Sequence, residues 1–284
     1  MNVLIIARFT LQEAFSRRLI LAGVVISVGY VALFIMGFHL LYDWALSNQG
    51  GGQARLMVGF VFATLTLFGI YVVNYLASFL ALFLSVGSVS GEIDSGTLHA
   101  VLARPMRRAE FIVGRWLAYV LMVAVYVVVM TGVVLLAARL MAGYEVPDPT
   151  RAILLMILET TLLLTVSLFG STVMPTLANG VVVFTLLGLA WLAGLIELLG
   201  GVLANPTMQN LGTAVSLLIP SDALWRGASY FLQSPTLLAA TGAARGGIPF
   251  FSNAPVAPAM LYWSIGYTAL MLLAAARAFS RRDL

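Results

Sequence analysis

Apolar residues run almost unbroken through six stretches of the chain, 19–41, 57–86, 117–141, 152–173, 181–203 and 259–276. A helix needs about 20 such residues to cross a hydrocarbon core. The pattern therefore predicts an all-α membrane protein with six transmembrane helices. The stretch at 57–86 is longer than a bilayer requires and predicts tilt or projection beyond the membrane. Ahead of the first span, Leu4, Ala7, Leu11, Ala14 and Phe15 fall on one helical face, and Gln12, Glu13, Ser16 and Arg17 on the other. That periodicity predicts an amphipathic helix over 1–18 lying in the membrane interface. Its charge is spread along the segment and the run after it is too long for a signal-peptide core, so it is not read as a cleaved leader.

The connections carry their own signals. Three consecutive glycines make 47–53 a flexible loop, and Pro147 and Pro149 place a short turn at 143–151. Pro175 and Asn179-Gly180 predict a break that turns the fourth and fifth spans into a hairpin. The stretch 204–258 mixes polar and apolar residues. Within it, Pro220-Ser221-Asp222 reads as a helix start, with Leu224, Trp225, Ala228 and Phe231 on one face. This predicts an amphipathic helix on the outer surface or dipping back into the bilayer. A seventh crossing over 211–232 is opposed by Pro220, Asp222 and Arg226. No internal repeat is visible, so 1–284 reads as a single transmembrane domain.

The most polar interruption is 87–116, with three of the chain's eleven acidic residues and four of its fifteen arginines. Ser95-Gly96 breaks the incoming helix. The next residues can form about two turns with Leu98, Val101 and Leu102 on one face, and Pro105 ends them. A second helix starts near Arg107 with Glu110 in its first turn, and brings Arg115 and Trp116 to headgroup level. The product is a helix–break–helix knob, apolar on one side and rimmed by arginine. It suits a groove on a partner protein, or it is a solvated loop that only meets charge topology.

Composition closes off whole classes of function. Mean hydropathy is +1.02, and charged residues make up 9% of the chain, against about 25% in a soluble domain. There is no cysteine and no lysine. A Walker A loop requires lysine, so the chain cannot hydrolyse ATP by that route. No H-E-x-x-H or G-x-S-x-G occurs, and His39 and His99 fall on opposite membrane faces. The chain is read as non-catalytic, with no cofactor or metal of its own and no basic face for nucleic acid. Ten of the fifteen arginines lie in 1–18, 87–116 and 277–284. The positive-inside rule then predicts both termini and the knob in the cytoplasm.

Polar groups inside the spans are few. Asn74, Arg139, Glu159 and Glu197 are the candidates for a pathway or gate. Counted from the ends of their spans, Glu159 and Glu197 share a depth of about 10 Å and Arg139 lies at about 3 Å. The expectation is that Arg139 pairs with one of the two carboxylates, as an outer gate or as a staple between helices. Gly188, Gly194, Gly200 and Gly201 permit close helix approach in or near the fifth span.

Glu92, Gly96, Thr97, Leu98, Leu102, Pro105, Arg108 and Gly114 spell E-x3-G-T-L-x3-L-x2-P-x2-R-x5-G. The order resembles the signature of export-type (type-2) ABC transporter permeases. Ile6-Ala7-Arg8 with Glu13 and Arg17-Arg18, and Phe279-Ser280-Arg281-Arg282-Asp283, are similar to that family's two ends. Arg115 stands where the family usually has lysine. The resemblance implies that 87–116 is a coupling helix docking on a separate ATPase, through Glu92, Gly96, Thr97, Leu98, Leu102, Pro105, Arg107 and Arg108. It also implies a homodimer with its fifth helices near the two-fold axis, two ATPase subunits carrying ATP and Mg, and export as the direction. The chain further resembles the subgroup linked to maturation of multi-copper enzymes. An extracytoplasmic partner at 204–258 is a further expectation, and membrane lipid surrounds the whole. The alternatives are a stand-alone proton-coupled transporter or channel using Glu159 or Glu197, and a non-transporting scaffold.

Overall fold

The computed structural model describes residues 2–16, 18–47, 51–94, 108–235, 237–239 and 250–281. Gly96, Thr97, Leu98, Leu102, Pro105 and Arg107 of the expected coupling segment lie outside them, as does His99. The described residues form helices and no strand. In order they are α1 (Asn2–Ser16), α2 (Arg18–Ser47), α3 (Gly51–Ser85), α4 (Ser90–Asp94), α5 (Arg108–Ala142), α6 (Pro149–Val173), α7 (Thr176–Val202), α8 (Pro206–Leu218), α9 (Ser221–Leu232) and α10 (Pro258–Ser280). Six stretches are long and apolar enough to cross a membrane: Leu21–Trp44, Val58–Ile93, Arg108–Ala142, Pro149–Val173, Thr176–Val202 and Pro258–Ser280. They coincide with the six expected spans.

Burial is uneven among them, and it identifies the centre. α6 is the most enclosed span, with α3 next, while α2 and α10 are mostly exposed on their apolar faces. α6 is also rich in hydroxyls. Thr160 and Thr165 donate to the carbonyls of Met156 and Thr161 at 2.8 and 2.6 Å. A hydroxyl bonded back to its own helix carries no polar cost into an apolar interior. This lets α6 bury threonines against α3, α5, α9 and α10.

α1 and the last turn of α10 meet at one end of the bundle, against the start of α5. α1 crosses the start of α5 where Gly114 removes the side chain; a Cβ there would lie 2.8 Å from Ile6 Cβ. α1 turns Ala7, Thr10 and Ala14 inward and leaves Leu4 and Phe9 exposed. The Phe279 ring, on α10, stacks on Phe111 of α5 with centroids 5.6 Å apart.

The joint between α6 and α7 differs from the expected break. Met174 and Pro175, both extended, make the turn, and α7 begins at Thr176. Asn179 sits inside the helix. Its amide donates to Val86 and Ser167 carbonyls at 2.8 and 2.9 Å, packed on Gly170. Those two bonds occupy the side chain that would otherwise favour a turn.

At the other end, α7 folds back on α8 through Ala204, whose φ of 50° is left-handed. Asn205 caps α8 by accepting from Thr207 and Met208 N–H groups at 3.0 and 3.3 Å. Gly200 and Gly212 let the two helices touch, since a Cβ at either would lie under 3 Å from the facing helix. After a bend at Ile219-Pro220, α9 returns toward the same end, where the Asp148 N–H donates to the Phe231 carbonyl at 3.3 Å. α8 packs on α7, and α9 packs on α6. α9 buries Leu224, Trp225, Ala228 and Leu232, with Phe231 half-buried. Its apolar face packs on α6.

Candidate functional site

Midway along the bundle, α3, α6, α7 and α9 enclose a small cleft. It is lined by Tyr71, Asn74, Tyr75, Ser78, Glu159, Leu187, Trp191, Ser221, Asp222 and Trp225, and has room for about one water molecule. Glu159 is ten residues inside α6, about 15 Å from its start. Its carboxylate is 3% exposed. Asn74 on α3 donates to both of its oxygens, at 3.0 and 2.9 Å. An aromatic box closes the side of the cleft that faces away from the termini. Trp191 donates to the Tyr71 hydroxyl at 2.9 Å, which donates to Tyr75 at 3.3 Å. Phe250 stacks on both Tyr71 and Trp191, and its carbonyl accepts from Trp225 at 2.8 Å. Phe250 holds a left-handed φ of 75°, a conformation that leans on these contacts.

Beside the cleft, Arg226 draws three acceptors together. Its guanidinium lies 2.9 Å from Asp222 and 3.4 Å from Glu197, and it donates to the Gly194 carbonyl. Gly194 is where α9 meets α7, since any Cβ there would collide with Asp222 and Arg226.

These contacts overturn the expected pairing of Arg139. Arg139 reaches Glu145 at 3.0 Å, with both side chains about two-thirds exposed. Glu159 is held by Asn74, and Glu197 by Arg226. The two carboxylates also do not share a depth, because α6 starts at Pro149 while Glu197 is only five residues from the end of α7. Arg139 lies at the rim, where pairing in water is easier than reaching down.

A second cluster holds the base of the 87–116 segment. Arg115 of α5 is 3% exposed, turned into the protein and not out to the headgroups as expected. It pairs with Glu92 of α4, donates to the Ser88 carbonyl, lies 3.5 Å from Glu13 of α1, and sits over the Phe111 ring at 4.7 Å. Trp116 likewise points inward and donates to Thr165 at 2.8 Å. Ser90 bonds Thr176 at 2.7 Å and Ser88 approaches Ser171 at 3.3 Å, so α4 is also pinned to the α6–α7 turn. Val89, Phe111, Ile112, Leu168, Ala275 and Phe279 form a small core under this cluster. Arg108 opens α5 beside it.

Compared with known families, the chain matches the ABC-2 family transporter protein family over residues 9–284. The chain belongs to the ABC-2 transporter family. No curated protein matches it. The membership makes it a multi-pass membrane protein and the permease component of an ABC transporter.

Of the permease's expected site residues, the structure gathers Glu92 with Arg115 at one end and Asn74 with Glu159 in the middle. It separates Arg139 and Glu197 from both. Sequence reasoning missed Asp222, Arg226, Tyr71, Tyr75, Ser78, Ser221 and the tryptophans of the cleft. One signal was available: Asp222 and Arg226 stand four apart just after a helix start, a spacing that places both on one face. The glycine expectation divides too. Gly194 and Gly200 serve contacts within the chain, while Gly188 and Gly201 have open space beside them.

Proposed function

We propose that two copies of this chain form an export path and are driven by two separate ATPase subunits docked on the 87–116 segments. In this reading both termini face the cytoplasm, where the ATP and Mg reside on the partner. The observation that carries the reading is the buried Glu92–Arg115 pair with its bond to Ser88. It fixes the entry of the segment to its exit, so a push on the segment reaches α1, α5, α6 and α10 together. A free loop would absorb such a push. The concentration of arginine at this end supports the cytoplasmic assignment, and the absence of lysine assigns ATP hydrolysis to another chain.

Family membership and the clamp both favour this over a stand-alone proton-coupled transporter. The test is co-purification of the chain with a cassette ATPase, followed by transport-coupled ATP hydrolysis in liposomes. Pro105→Ala and Glu92→Ala should each lower the stoichiometry of bound ATPase or uncouple hydrolysis. A chain that transports at full rate with no ATPase bound would sink the reading.

A further inference from the structure

We propose that the Glu159 cleft binds a primary ammonium group of an amphipathic amine, whose apolar part lies along the groove between α3 and α7. The proposal rests on reading the chain as a transport subunit, and it names the chemistry of the cargo or lipid that subunit engages.

Charge is the first argument. Among the described residues no cation reaches Glu159. Arg226, beside the cleft, is already shared by Asp222, Glu197 and the Gly194 carbonyl. An ionised carboxylate buried without a cation is costly, and a neutral amide donor offsets only part of that cost.

Unused acceptors are the second. Asn74 Oδ1 and Ser221 Oγ have no hydrogen-bond partner, and their residues are 3% and 1% exposed. Both line the same cleft as Glu159. An ammonium has three donors and no acceptor, which matches a carboxylate with two orphaned oxygens. The walls include the aromatic residues Tyr71, Tyr75, Trp191 and Trp225, a residue class that attracts cations. Space of about one water admits –NH3+ and not a trimethylammonium. No group of three or more His, Cys, Asp or Glu stands together among the described residues, so the donor set does not suit a divalent metal.

The groove supplies the third. From Tyr75 at the cleft, an aromatic ladder continues through Phe79, Phe184 and Phe83, with successive centroids 6.2, 5.8 and 5.7 Å apart. Phe79 and Phe83 are 37% and 46% exposed. A hydrocarbon tail attached to the bound nitrogen lies along this ladder.

The test uses the full chain in phosphatidylcholine nanodiscs, titrated with octylammonium, octyltrimethylammonium and octanol while tryptophan fluorescence is read. Octylammonium should bind saturably and at least 10-fold tighter than either analogue. Glu159→Gln should weaken it at least 10-fold, Phe79→Ala should weaken it several-fold, and Arg139→Gln should leave it unchanged. Equal affinity for octanol and octylammonium would mean a neutral cleft whose carboxylate holds a proton, and overturns the proposal. Equal affinity of wild type and Glu159→Gln does the same. If Glu159→Gln does not fold, the contrast among the three probes on wild type decides alone. Adding phosphatidylethanolamine to the nanodiscs distinguishes the sources: competition assigns the ammonium to a lipid headgroup, and no competition assigns it to a free amine. ATPase co-purification is measured on the same samples, so loss of the ammonium site and failure of the permease reading are told apart.

Discussion

Glu92 of α4 and Arg115 of α5 form a largely buried ion pair that ties the entry of the 87–116 segment to its exit. Arg115 is 3% exposed and Glu92 15%, and Glu13, the other carboxylate near Arg115, is nearly half exposed at 3.5 Å. Removing Glu92 leaves a buried guanidinium with a poor substitute. Glu92→Ala should therefore lower stability by about 3 kcal/mol, read as a fall in the unfolding midpoint in nanodiscs. Glu92→Gln, which keeps the hydrogen bond and loses the charge, should cost less. A Glu92→Ala protein that melts with wild type would mean the pair does not hold the segment.

Asn74 and Glu159 should behave as one unit. Asn74→Leu strips the carboxylate of the one amide that donates to both its oxygens and should cost about 1–3 kcal/mol. Replacing both residues by leucine should cost clearly less than the two single changes added together. Strict additivity in that cycle would contradict the bidentate contact.

The two arginines at the rim and beside the cleft predict opposite outcomes. Arg139→Gln breaks only an exposed pair and should stay within about 0.5 kcal/mol of wild type. Arg226→Gln leaves Asp222 without its cation and should cost about 3 kcal/mol. Exchanging Arg139 and Glu159 by Arg139→Glu with Glu159→Arg should rescue nothing. Recovery in that double variant would restore the pairing that the structure rejects.

Glycine replacements offer a geometric check. Gly212→Ala forces a methyl to within 2.6 Å of Glu197 Cβ and 2.8 Å of the Ala193 carbonyl. It should separate α7 from α8 and cost about 1–3 kcal/mol. Gly188→Ala meets nothing within 4 Å and should be neutral or slightly stabilising, as alanine favours helix over glycine. Similar melting of the two variants would argue against the α7–α8 contact.

Several features were legible because they depend on neighbours in the chain. The six spans follow from run length. The start of α9 follows from Pro220-Ser221-Asp222, and its buried face from Leu224, Trp225 and Ala228. The motif glycine Gly114 was visible as a pattern, while its physical reason, the passage of Ile6 across it, was not. Arg139 pairs with Glu145 and not with a span carboxylate, because position along isolated helices gives depth alone. Depth ignores lateral distance, and α8 and α9 bring Arg226 to Glu197 from a segment more than twenty residues away. Arg115 was placed at the headgroups by its position at a span end, yet Glu92 and Ser88 draw it inward.

A membrane-embedded bundle, its six crossings and its arginine-rich end are already written in the order of residues, because hydropathy and charge bias need no partners to act. The tertiary structure decided which buried charges meet. A polar side chain in an apolar interior takes whatever partner the packing brings within about 3 Å, and that choice is made between helices, where no local pattern records it.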